Sequence, residues 1–148
     1  MRALNLQRVA AAFQNIGMVV ETEPEQLNIL NLGLPTAVSV ESGQLLVLAS
    51  DWSLGLDNTP ELQRELFFRI NDFHRNHTRI KIAIDPNRET AVLALTDVLP
   101  CHPGLSDTLL EMTLKRSLGG LIRAAYDLSS QIPDAEISPK PTDEWGGL

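Results

Sequence analysis

The chain has 148 residues, a length suited to one domain, and 43% of them are hydrophobic. A formal net charge of -7 argues against polyanion binding as its main task, and the single cysteine, Cys101, rules out an internal disulfide. No apolar run approaches the ~20 residues of a membrane-spanning helix, and the composition is that of a cytoplasmic protein without nucleic-acid or membrane partners.

Charge is unevenly spread. Between Arg8 and Arg64 there is no Lys or Arg, against seven acids from Glu21 to Glu61. From Arg64 to Arg88 the balance reverses, with six bases against Glu65, Asp72 and Asp85. A solvated surface explains this, and so does steering toward an acidic or self-complementary partner.

Leu6, Val9, Ala10 and Phe13 recur at helical spacing, and Gly17 is placed to end that helix. Met18–Glu21 is expected to be extended. Three strand-like runs follow, Leu27–Leu32, Thr36–Val40 and Leu45–Ser50, separated by the turn residues Gly33-Leu34-Pro35 and Glu41-Ser42-Gly43. Links this short join antiparallel neighbours. Trp52, just beyond the third run, is expected in the core or at its rim.

Thr59 suits an N-cap and Pro60 the first helical position, with Leu62, Leu66, Ile70 and Phe73 lining one face of the second helix. At Thr78 the period changes. Ile80, Ile82 and Ile84 alternate with Arg79, Lys81 and Ala83, which predicts a strand with one wet face. Asp85–Arg88 is a turn, and Thr90–Leu99 is the return strand of a hairpin. Ser106 can cap a long last helix, whose apolar stripe runs through Leu110, Leu114, Leu118, Leu121, Ala125 and Leu128. Gly119 and Gly120 interrupt it, which suggests that another backbone comes close there.

The expected fold is therefore α+β: an antiparallel sheet with helices packed on one face, in the order α-β-β-β-α-β-β-α, with Met18–Glu21 a further candidate strand. Residues 1–131 form the domain and 132–148, with three prolines and four acids, an acidic tail. The runs Leu45–Ala49 and Ala91–Leu95 are apolar on both alternating faces, although an antiparallel sheet with one covered side should alternate. Something ought to cover the second face, and a second copy of the chain is the favoured candidate.

The segment INDFHRNHTRIKIAID, Ile70 to Asp85, holds two of the three histidines, His74 and His77. A zinc site needs three or four protein ligands; Asp72 points elsewhere on a helix, while Arg75, Arg79 and Lys81 repel a cation. A helix end whose Asn, His and Arg satisfy its last carbonyls is the simpler reading. Cys101 and His102, adjacent in a Pro-bounded loop, are poorly placed to act as nucleophile and base. No phosphate loop or nucleophile elbow is present, so no catalytic residue, metal or cofactor is assigned. Trp145, in the acidic tail, is the residue there most suited to docking.

The order of elements and the helix end containing Asn71, followed by a strand, a hairpin and a long amphipathic last helix, resemble the YbjN family from about Leu4 to Ser130. That family consists of bacterial proteins regarded as sensory transduction regulators, with a fold like the type III secretion chaperones. This chain carries His74 where the family often has a second Asn. The resemblance implies a non-enzymatic homodimer that acts by binding other proteins. Surfaces put forward for that role are the basic strand with Arg75, Arg79 and Lys81, the Gly119-Gly120 helix face, and Trp145. The other class of function compatible with the sequence is a small-ligand or metal sensor, or a minor enzyme, built on His74, His77 and His102.

Overall fold

The structure, a computed structural model, describes residues 4–77, 79–101 and 105–141. Among these residues, three helices and six strands follow one another as α1 (Leu6–Asn15), β1 (Val20–Thr22), β2 (Leu27–Ile29), β3 (Thr36–Glu41), β4 (Leu45–Asp57), α2 (Pro60–Asn76), β5 (Lys81–Ala83), β6 (Thr90–Pro100) and α3 (Asp107–Ser129). Every helix begins on a side chain that accepts a backbone N–H: Asn5 from Arg8, Thr59 from Leu62, Ser106 from Leu109.

The strands form one antiparallel sheet in the order β1-β2-β3-β4-β6-β5. The extended segment after α1 supplies β1, so four strands precede α2 rather than three. Pairing with β6 carries β4 on to Asp57, well past Ser50, so Trp52 lies within a strand; the register shifts between Ser53 and Asp57. Between β3 and β4, Ser42 and Gly43 both take positive φ (55° and 66°), as a tight hairpin turn of the primed type requires.

Leu46, Leu48 and Leu54 of β4, Leu93 and Leu95 of β6, and Leu27 of β2 are fully buried on one face of the sheet. They meet Phe13 of α1, Leu66 of α2, and Leu110, Leu114 and Leu118 of α3 in one continuous core. Thus the apolar stripes of the helices and alternate residues of the strands bury one another, and the helices lie on one side.

The segment expected as a tail is held over its first part. Ile132 and Ser138 are buried, and the Glu136 N–H donates to the Leu54 carbonyl over 2.8 Å. Trp52 Nε1 donates to the Glu136 carbonyl, 2.8 Å away. Gly33, at φ +90°, lets Pro139 come so close that an added Cβ would lie 2.8 Å from its ring. No helix among the described residues is long and apolar enough to cross a membrane.

Candidate functional site

Among the described residues, no helix lies on the opposite face of the sheet. Its rows, read across the strands from the register, are Ser39–Val47–Val98, Ala37–Ala49–Thr96–Lys81 and Asp51–Ala94–Ala83. Most of these side chains are small or branched and apolar. Val98 is 49% exposed. Asp51 and Lys81 are exposed, and neither forms an ion pair among the described residues. The double-faced apolar character of Leu45–Ala49 and Ala91–Leu95 thus corresponds to a core face and an open face.

On the helix side, a groove of about 300 Å³ lies between the end of α2, the start of β5 and the middle of α3. Phe73, Ile80, Gly120 and Ala124 make its apolar floor, and Arg79, Arg116 and Arg123 stand around it. Gly120 is what leaves it open: an added Cβ would touch Ile80 at 3.4 Å, and any longer side chain would reach into the groove. The neighbour that Gly120 admits is the Ile80 side chain of the same chain, not the backbone expected from the glycine pair. Gly119 is buried in α3.

Arg79 is fixed in place. Its Nη2 donates to Asp97 Oδ2 over 2.7 Å, and the Ser117 hydroxyl donates to the same oxygen, also at 2.7 Å. Asp97 is 1% exposed and occupies a core-facing position of β6. Arg75 is exposed in the last turn of α2 and lines neither surface.

The two histidines are held by the backbone. His74 Nε2 accepts the Ile82 N–H at 3.0 Å, and His77 Nδ1 lies 3.1 Å from the Phe73 carbonyl. His77 also stacks on the Phe73 ring, with centroids 4.2 Å apart. The His74 imidazole ties the end of α2 to β5, while His77 folds back on the last turn of α2 itself. No group of three or more His, Cys, Asp or Glu among the described residues could hold a metal. Cys101 is buried; His102 and Trp145 lie outside the described residues.

Sequence reasoning passed over several of these residues. Arg116 and Arg123 flank Gly120 on the outer side of α3, a position the apolar stripe did not draw attention to. Phe67 and Phe68, on the outer side of α2, are 47% and 69% exposed.

No family model matches this chain, and no curated protein does. Among solved structures, it resembles the crystal structure of YbjN from E. coli, a proposed transcription regulator, with a TM-score of 0.61. The match covers 76% of this chain and 82% of that one at 12% identity. The fold is YbjN-like.

Proposed function

We propose that this chain is a non-enzymatic regulator or adaptor that binds proteins and acts as a homodimer. One observation carries the reading: an open sheet face built of Val47, Val98, Ala37, Ala49, Ala83 and Ala94, with all three described helices on the other side. Small, flat side chains allow a second sheet to pack about 10 Å away. A two-fold pairing uses the same patch on both copies. With the axis near Ala94 and Thr96, Asp51 of one copy faces Lys81 of the other, so the two unpaired charges complement each other. YbjN's description as a proposed regulator accords with this reading. The histidine-based sensor or enzyme is disfavoured because the Nε2 lone pair of His74 is already taken by the Ile82 N–H.

The test is the mass in solution. Light scattering at micromolar concentration should give twice the chain mass, and Lys81→Glu or Val98→Glu should halve it. Adding Asp51→Lys to Lys81→Glu should restore the dimer. A wild-type monomer under the same conditions, with no partner present, overturns the proposal.

A further inference from the structure

We propose that the groove between α2, β5 and α3 binds an acidic segment of a partner protein, seating a large apolar side chain on its floor and carboxylates on Arg116 and Arg123. This rests on the protein-binding reading above and assigns it a second surface, away from the open sheet face. Arg8, Arg64, Arg69 and Arg79 each have a carboxylate partner, whereas Arg116 and Arg123 have none among the described residues. Both are exposed, and they bracket the apolar floor from the same helix. Seven residues of helix separate them, about 10 Å along the axis. In an extended segment side chains two and four residues apart share a face, and four residues span about 13 Å, within reach of two arginine side chains. The chemistry that fits is two acidic residues four apart with a bulky apolar residue midway between them.

Arg79, its charge matched by buried Asp97, walls the third side. A polyanion such as nucleic acid fits poorly, because the floor is almost wholly apolar and offers its phosphates no partner. The floor has room for a single large side chain, since a specific ligand pocket starts at about this size. Guanidinium–carboxylate contacts at the rim then fix direction and register.

The probe is a fluorescein-labelled peptide with the sequence Gly-Glu-Ser-Phe-Ser-Glu-Gly, titrated by anisotropy into the full chain. Saturable binding is expected. Replacing both glutamates of the peptide by Gln, or changing Arg116→Ser or Arg123→Ser in the protein, should weaken it about tenfold. Gly120→Leu should abolish it by filling the floor. Circular dichroism checks that each variant is folded, and the exposed arginine changes keep the test decisive should Gly120→Leu unfold. No binding at millimolar peptide, or equal binding by the Gln peptide and both arginine variants, overturns the proposal. So does binding seen only in a chain shortened after Pro141, since that result gives the groove to the chain's own Asp143-Glu144-Trp145. The Lys81→Glu variant should bind the peptide as the parent does. A failed dimer with intact peptide binding, or the reverse, therefore tells the two readings apart.

Discussion

Arg79 and Asp97 join the groove to the core. The guanidinium lies 2.7 Å from a carboxylate that is 1% exposed, and that carboxylate also receives the Ser117 hydroxyl. One buried charge thus connects the start of β5, the middle of β6 and α3.

Removing the arginine strands that charge. Breaking a fully buried pair from one side costs about 3–5 kcal/mol, but the Arg79 side chain is 43% exposed, so water screens part of the loss. We expect Arg79→Ala to lower unfolding stability by about 1–2 kcal/mol in urea titrations. In an Asp97→Asn background the same change should cost much less, because no charge is left behind. Equal costs in the two backgrounds would show that the pair is not coupled.

The His74 imidazole covers the outer side of β5, an edge strand only three residues long. Its Nε2 takes the Ile82 N–H, which β6 on the other side does not use. His74→Ala should cost about 1 kcal/mol in thermal or urea melts. It also bares a strand edge, so slow aggregation of the variant should exceed that of the parent. Excess zinc should leave the parent's melting temperature where it was. A zinc-induced rise that vanishes in His74→Ala would instead assign the pair a ligand role.

The architecture was readable wherever one period dominated. Thr59 and Ser106 cap α2 and α3, and Ile82 turns inward while Lys81 and Ala83 stay wet, as the alternation predicts. Strand lengths were less legible, since pairing rather than propensity sets them. The continuation of β4 through Asp51 and Ser53 is imposed by β6, although neither residue favours a strand. Asp97 hid within a strand-like run, because its burial depends on Arg79 and Ser117 arriving from distant parts of the chain. The groove was half visible. Gly120 and Arg79 drew attention by type, but Arg116 and Arg123 gained meaning only once Phe73 and Ile80 were seen between them.

Cys101 follows β6 directly and is 7% exposed, with its N–H donating to the Gln44 carbonyl at 2.7 Å. Burial pushes its thiol pKa up by disfavouring the thiolate, and the nearby positive charge of Arg8 offsets only part of that rise. The nucleophile is the thiolate, so native Cys101 should react with iodoacetamide at pH 8 at least about tenfold more slowly than in urea-unfolded chain. The sign for stability follows from the same shift. Above the ordinary thiol pKa the unfolded chain releases a proton that the folded chain retains, so this group's contribution is present at neutral pH and lost as pH climbs through the alkaline range. Cys101→Ser should remove that alkaline loss while leaving the neutral-pH fold in place. Rapid, stoichiometric labelling of the native protein at pH 7 would refute the buried, protonated thiol and reopen a reactive role for this loop.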